Sequence, residues 1–430
     1  MTATPDLALR PRLLVINQYY WPGVEATAQL LTELCEGLTD DYEVRVLTGV
    51  LHGHEEEPLR TVRNGVEIVR VRSTAYERSR LALRALNYST YLAGALAVGL
   101  TGPKPDLVLC MTDPPMVGDV GLAVARRFRV PLLVISEDVF PEIATLLKRL
   151  ENPILVAALR HLVQLYVRRA DRIVAIGETM RQRLEAKGAR PDRIRVIPNW
   201  IDTKAISPQP RDNPWARKHG LVGRFVVMHS GNVGHAQNLD VLVRAATFLR
   251  DLDDLDIVII GYGARYGELL ELAQRLEADK VRFLPYQPRE VLSMSLSSAD
   301  IHFVGLVKGL AGYVVPSRLY GVMVTGRPVL VAADEESETA QVVSRVGCGI
   351  AIPPGRPELV AAAIRDAHDG RYDLEEMGIR GREYATAEAG REVALERYRA
   401  VLGELLNGRR GRITPERFST SAGPVRAPKR

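Results

Sequence analysis

The stretch Phe225-Val-Val-Met-His229-Ser230-Gly231-Asn232-Val-Gly234-His-Ala-Gln237-Asn238-Leu239 decides the fold. Residues 225–229 form a short apolar run of the kind that fills a buried parallel strand. Glycines follow at once, and residues 239–249 then repeat apolar side chains at helical spacing. A glycine-rich turn between strand and helix lets backbone N–H groups approach an anion at the helix start. The spacing is neither GxGxxG nor GxxxxGK[ST], which disfavours the usual dinucleotide and P-loop readings. A tight strand-to-helix turn without a ligand is the alternative reading of the same residues.

The alternation continues in both directions. Downstream, strands are expected at 256–260, 281–284, 300–304, 328–332 and 349–352, with helices at 266–278 and 385–406. Upstream, strands are expected at 12–17, 42–47, 66–71, 107–111, 131–135, 172–176 and 195–197, with a helix at 26–38. Alternating strands and helices imply doubly wound parallel sheets. After Pro198-Asn199-Trp-Ile-Asp202, a polar, proline-containing stretch to Pro214 reads as a linker. The expected class is α/β, with one Rossmann-like domain over 1–205 and a second over 206–384. A terminal helix over 385–408 and a tail over 409–430 complete the chain.

A chain of 430 residues exceeds the usual single-domain size. Its formal net charge is +5, but the tail carries seven Lys/Arg against Glu416, which is +6. The remaining 408 residues therefore sum to −1, so the basicity is no sign of a nucleic-acid partner. The tail is poor in apolar residues and is expected to be disordered. Cys35, Cys110 and Cys348 lie far apart, which argues against a disulfide frame or zinc site. Residues 1–12 do not read as a signal peptide, and the longest uncharged apolar stretch, 91–100, is too short to span a bilayer. The expected location is cytoplasmic, or peripheral at the inner face of the cell membrane. Two basic-apolar segments bear on that choice, 78–104 and 146–169. Each is either a helix lying on an anionic membrane or a core-facing helix with a basic outer face.

A second glycine loop is Lys308-Gly-Leu-Ala-Gly312-Tyr-Val-Val-Pro316-Ser317-Arg318-Leu-Tyr. Pro316 suits a helix start, and Thr325-Gly326-Arg-Pro328 suits its end. Two helix starts with glycine loops in one domain, with Lys308 and Arg318 beside the second, suit a diphosphate. Gly261-Tyr-Gly263 follows another strand, and Phe283-Leu-Pro-Tyr-Gln287-Pro288 is placed to wall a base pocket.

Taken together, the motifs resemble glycosyltransferase family 4, in the branch that builds bacterial exopolysaccharide and O-antigen units. The matching residues run in order. They are Gln18-Tyr-Tyr-Trp-Pro22, Thr112-Asp-Pro-Pro115, Glu137-Asp138-Val-Phe-Pro-Glu142 and Val196-Ile-Pro-Asn199 in the first half. In the second they are Gly231-Asn-Val-Gly234 with Gln237, Gly309-Leu-Ala-Gly312, Val315-Pro-Ser-Arg-Leu-Tyr320 and Gly326-Arg-Pro-Val329.

The resemblance implies a GT-B fold whose terminal helix crosses back to the first domain. It implies an acceptor site in the first domain, a nucleotide-sugar site in the second, retention at the anomeric carbon and no metal. The donor, expected to be UDP-linked, is a co-substrate, and no cofactor is expected. The acceptor is expected to be a hydroxyl of a glycan or lipid-linked glycan. Asp138 and Glu142 are the expected catalytic carboxylates. Asp138 would stabilise oxocarbenium-like charge or contact an acceptor hydroxyl. Expected donor contacts are Gly23, Asn199, Gly231, Asn232, Gly234, Gln237, Gly261, Gly263, Gln287, Lys308, Gly312, Ser317, Arg318 and Glu338. Asn232 and Gln237 stand where many members carry Arg and Lys, so Lys308 and Arg318 are expected to supply the missing positive charge. Tyr313 and Gly321 replace the two glutamates of the Glu-x7-Glu signature, and Glu338 is either a substitute for the ribose contact or, the favoured reading, a helix-start carboxylate. Two DxD matches within 251–256 read as solvated carboxylates. A UDP-sugar epimerase of GT-B fold and an inactive nucleotide-sugar-binding protein remain the alternatives.

Overall fold

The computed structural model describes residues 10–413 except 24 and 78–80, and the side chains of 81 and 408–413 lie outside it. The first half contains β1 (Arg12–Ile16), α1 (Ala26–Gly37), β2 (Glu43–Gly49), β3 (Arg60–Arg63), β4 (Val66–Val71), α2 (Leu81–Thr101) and β5 (Leu107–Met111). It continues with α3 (Val117–Phe128), β6 (Leu132–Ser136), α4 (Glu142–Leu146), α5 (Pro153–Arg169), β7 (Arg172–Ala175), α6 (Glu178–Ala186) and β8 (Ile194–Val196). These strands form one sheet in the order β3-β4-β2-β1-β5-β6-β7-β8.

The second half contains α7 (Pro214–Lys218), β9 (Phe225–Ser230), α8 (Asp240–Ala245), β10 (Leu255–Ile260), α9 (Tyr266–Arg275), β11 (Val281–Leu284), α10 (Leu292–Ser297) and β12 (Ile301–Gly305). Then come α11 (Arg318–Val324), β13 (Val329–Ala332), α12 (Glu338–Val346), β14 (Gly349–Ile352), α13 (Pro357–His368), α14 (Leu374–Glu388) and α15 (Arg391–Ile413). Its sheet runs β11-β10-β9-β12-β13-β14.

Both sheets are parallel because their strands are apolar on both faces and helices cover each face. In β5, β6, β10 and β12 every residue is buried. The exception is β3, which pairs antiparallel with β4 at the edge. Its exposed-intermediate pattern, with Arg60 and Arg63 at its ends, gave no sequence signal for a buried strand. The order reverses between β1 and β5 in the first sheet and between β9 and β12 in the second. Such switch points leave crevices at the carboxyl ends of the strands, where ligands bind.

The single terminal helix expected over 385–408 is instead two helices. Ile201 donates to the Ala389 carbonyl at 2.9 Å and accepts from the Arg391 N–H at 3.0 Å. That bridge, centred on Gly390, replaces helical hydrogen bonds where the chain crosses back to the first domain. Beyond it Leu395, Tyr398, Val401, Leu402 and Leu405 enter the core of the first domain, against β1, β2 and β5. The expected tail also starts later than its charge suggested. Residues 409–413 continue α15, and the rest of the tail lies outside the described residues. The helix expected over 239–249 is shorter as well, with α8 followed by a tighter turn at Ala246–Phe248. No helix among the described residues is long and apolar enough to cross a membrane.

Candidate functional site

The two crevices face each other. On the second-domain side, β9 ends in His229 and Ser230, and Gly231 follows with φ 137°, which favours glycine. Arg318 opens α11 and lays its guanidinium over this glycine, 3.6 Å from the position a Cβ would occupy. Its Nη1 lies 2.7 Å from Nε2 of His229. Burial and Arg318 hold His229 well below its ordinary pKa, so the ring is neutral and accepts. Burial also pushes Arg318 down to about 10, and among the described residues no carboxylate opposes it. An unpaired, largely desolvated cation is costly, and an anionic ligand removes the cost. The helix behind it has only seven residues. The positive charge at this loop therefore comes from the side chain rather than from the helix end.

The other expected donor contacts separate on inspection. A Cβ on Gly261 would stand 2.0 Å from the Gly231 carbonyl oxygen, and one on Gly263 would stand 2.4 Å from the Val233 carbonyl oxygen. These two glycines allow adjacent loops to pack, which explains their pattern without a ligand. Gln237 accepts from the Gly234 N–H at 3.0 Å and closes the loop on itself. Asn232 packs between Gly234 and Gly263, within 2.8 Å of where a Cβ on either would lie. Gln287 does not face a base, because its amide accepts from Trp215 Nε1 at 2.8 Å and donates to the Pro285 carbonyl at 2.7 Å. Two aromatics from the same segments stand in its place. Tyr262 and Tyr286, 48% and 52% exposed, meet edge-on with centroids 6.1 Å apart. Tyr286 also reaches within 3.2 Å of the Gly261 Cβ position. In the sequence both tyrosines sit inside turns, Gly261-Tyr262-Gly263 and Pro285-Tyr286-Gln287, where glycine and proline are the dominant local signal.

Lys308 is exposed at the loop rim, whereas the Gly309 N–H is tied to Asp334 at 2.6 Å. Ser317 precedes α11 without a side-chain cap bond. Gly312, with φ 76°, abuts the Thr179 carbonyl and Arg183 of α6, so it serves domain contact. Glu338 opens α12, as the helix-start reading expected, and does not stand free for a ribose. Instead its Oε2 accepts from the Glu178 N–H at the start of α6, at 2.9 Å across the cleft. Thr179 donates to the Glu336 carbonyl at 2.7 Å, and Arg183 to the Ala311 carbonyl at 3.1 Å. This latch holds the domains together. Glu338→Ala is expected to enlarge the radius of gyration in solution scattering, with UDP affinity changed by no more than about fivefold, one hydrogen bond's worth. A much larger affinity loss would return Glu338 to the ribose.

On the first-domain side, Asp138 follows β6. Its backbone bridges Val314 of the second domain, and the Val139 N–H donates to the Tyr313 carbonyl at 2.9 Å. Burial, then Asp113 and Glu137, push the Asp138 carboxyl up to about 8, with Arg84 opposing. Burial pushes Glu137 up to about 7. Thr112 Oγ1 accepts from the Glu137 N–H at 3.1 Å and fixes the turn that presents these carboxylates. Asn199 lies beneath the site, not at the donor, and donates to Glu137 at 2.8 Å. Glu142 is not free for catalysis as placed. It pairs with buried Lys187 and with Arg160 at 3.3 Å, anchoring α4. The Gly23 amide is also engaged, donating to the Tyr20 carbonyl at 2.8 Å. Sequence reasoning missed Arg84, Asp113 and Thr112 as neighbours of Asp138.

Of the DxD carboxylates expected to be solvated, Asp256 is instead buried, and three of the four are paired. Asp251 pairs with Arg365 at 2.7 Å, Asp254 with His368 at 2.9 Å and Asp256 with Arg224 at 2.6 Å. Among the described residues no group of three or more His, Cys, Asp or Glu side chains is placed to hold a metal ion.

Comparison with known proteins identifies this arrangement. Residues 25–200 match the glycosyl transferase 4-like domain, and residues 212–384 match glycosyl transferases group 1. The chain is 29% identical over 314 residues to the probable glycosyltransferase WbjE of Pseudomonas aeruginosa, covering 72% of this chain and 75% of that one. It is 30% identical over 322 residues to the D-inositol 3-phosphate glycosyltransferase of Nocardia farcinica, covering 71% and 70%. The fold superposes on Anabaena HepE, solved in complex with UDP and glucose, with a TM-score of 0.72 at 15% identity, covering 92% and 100%. With its two parallel-sheet domains and a cleft between them, the chain belongs to glycosyltransferase family 4 and is a transferase of GT-B fold.

Proposed function

We propose that the protein transfers a sugar from a UDP-linked donor to a hydroxyl of a glycan or lipid-linked glycan in polysaccharide biosynthesis, with retention and without a metal. The observation that carries this reading is the Arg318 guanidinium over Gly231 with no ion-pair partner among the described residues, on the segment whose Val314 bridges the Asp138 backbone. A diphosphate satisfies that cation and can accept hydrogen bonds from the loop at the β9–β12 switch point. Tyr262 and Tyr286 offer an aromatic surface for a base beside it. The complex of HepE with UDP and glucose supports the choice of nucleotide. In this reading Asp138 contacts the acceptor hydroxyl, and the departing diphosphate takes its proton. The enzyme lowers the barrier by positioning and by stabilising charge on the leaving group.

The test is a calorimetric and turnover screen of nucleotide sugars against glycan acceptors, run with and without EDTA. UDP-sugars are expected to bind, and transfer is expected to continue in chelator. Loss of activity in EDTA that Mn²⁺ or Mg²⁺ restores would end the metal-free reading. Conversion of one UDP-sugar into another without acceptor would replace transfer by epimerisation.

A further inference from the structure

β9 is a buried strand that carries one ionisable side chain. Val226, Val227, Met228 and His229 are all 0% exposed, and the strand lies between β10 and β12. A polar group in such a place needs a partner. In β12 the buried His302 has the Leu296 carbonyl at 2.8 Å from its Nε2. His229 has a cation instead. Arg318 Nη1 stands 2.7 Å from its Nε2 and 3.0 Å from its Nδ1, and the Phe303 carbonyl lies 3.4 Å from Nδ1. A neutral imidazole has one N–H and one acceptor nitrogen. It can therefore take an N–H from Arg318 and turn its own proton toward the main chain.

Buried cations elsewhere in the chain face carboxylates. Arg70 and Lys187, with side chains 2% and 7% exposed, pair with Glu57 at 3.5 Å and with Glu142. Arg318 has no such partner among the described residues. The difference has a chemical consequence. A carboxylate would hold the guanidinium at least as firmly, but it would also neutralise it and compete with an arriving phosphate. An imidazole that stays neutral holds the same group and leaves its charge uncancelled. Burial and the adjacent Arg318 both oppose protonation of the ring, so it stays neutral near pH 7.

We infer that His229 is a positioning residue of the donor site, which holds the Arg318 guanidinium over Gly231 as a neutral acceptor and so reserves the charge of Arg318 for the donor diphosphate. The inference rests on the reading of Arg318 as the phosphate clamp and deepens it by naming what sets the clamp. His229 acts through Arg318, not on the reacting atoms. Three substitutions separate the acceptor, the charge and the volume of the ring. Glutamine keeps one acceptor and adds donors without charge, glutamate has the same shape with a negative charge, and leucine fills space with neither.

The experiment measures UDP affinity by calorimetry and uridine affinity by nuclear magnetic resonance titration for His229→Gln, His229→Glu, His229→Leu and Arg318→Ala. Uridine has the base and ribose of UDP but no phosphate, so it reports on the rest of the site. His229→Gln should bind UDP within about threefold of wild type, less than the loss of one neutral hydrogen bond. His229→Leu should weaken UDP binding about tenfold, as the loss of a hydrogen bond to a charged group does. His229→Glu should weaken it about thirtyfold or more, the low end for losing one member of a desolvated charged pair. Its melting temperature without ligand should hold or rise, because the buried cation gains a counter-ion. Uridine affinity should be unchanged in all three. Wild-type UDP affinity in His229→Leu, or in folded His229→Glu, overturns the inference. A glutamine variant as weak as the leucine one does so too, and so do equal losses of UDP and uridine, which make His229 a packing residue. If the glutamate variant does not fold, the contrast between leucine and glutamine decides alone. Wild-type UDP affinity in Arg318→Ala ends the donor reading itself, whereas a loss there with none in the His229 variants ends this inference only.

Discussion

Arg318→Ala is expected to weaken UDP binding about thirtyfold or more, the low end for removing one member of a desolvated charged pair. Turnover should fall with it, because the same charge faces the leaving diphosphate. The variant has a second signature that separates ligand recognition from a structural role. In the free protein Arg318 lies in a desolvated position beside neutral His229, with no carboxylate partner among the described residues. Removing a charge from such a place relieves a cost, so the melting temperature without ligand should hold or rise. Wild type should regain the advantage only when UDP is added. Arg318→Lys should recover part of the affinity, since a point charge replaces a planar fork. Lys308→Ala should change affinity by no more than about twofold, because its exposed position at the loop rim leaves any charge pair screened. Calorimetry and thermal melts on the three variants decide the matter. Unchanged UDP affinity in Arg318→Ala would place the phosphate clamp elsewhere.

Asp138→Asn should lower turnover about a hundredfold or more while leaving UDP affinity nearly unchanged, as expected for a polar group acting at the reacting centre. The amide keeps the shape of the carboxyl, and the domain bridge to Val314 is made by backbone atoms. A loss of turnover is then chemical rather than architectural. The pH dependence of stability supplies an independent check. A carboxyl whose folded pKa is raised contributes stability that is fully present below its unfolded pKa, about 3.9. That stability is lost progressively as pH rises through about 8, the value to which burial, Asp113 and Glu137 push Asp138. The asparagine never ionises and escapes this loss. Its melting temperature should therefore gain on wild type between pH 4 and about pH 8, then hold a constant lead. A lead that does not change over that range would mean that Asp138 titrates as an ordinary carboxylate. Turnover within a few-fold of wild type would remove Asp138 from the reaction.

The alternation of strands and helices was legible in the amino-acid pattern, because parallel strands buried on both faces read as continuous apolar runs. The pattern also marked both loops of the β9–β12 switch point, since Gly231 and Gly312 adopt backbone angles that favour glycine. Arg318 was legible for the same reason, as a cation beside a glycine loop. What periodicity cannot report is the neighbour across a gap. Glu338 became an interdomain latch, Asn199 a support for Glu137 and Gln287 a partner of Trp215 only when distant segments met. Each of these polar side chains found a partner that removes the cost of burial, and the partner lies 62 residues away or more. The helix break at Gly390 likewise depends on Ile201, far away in the chain. α2 and α5 show the same limit in the apolar residues. Both segments carry apolar runs flanked by basic residues, and only packing decides that Leu92 faces the core while Ile154 faces outward. Spacing fixes which residues share a face of a helix, and the tertiary contacts fix what that face meets.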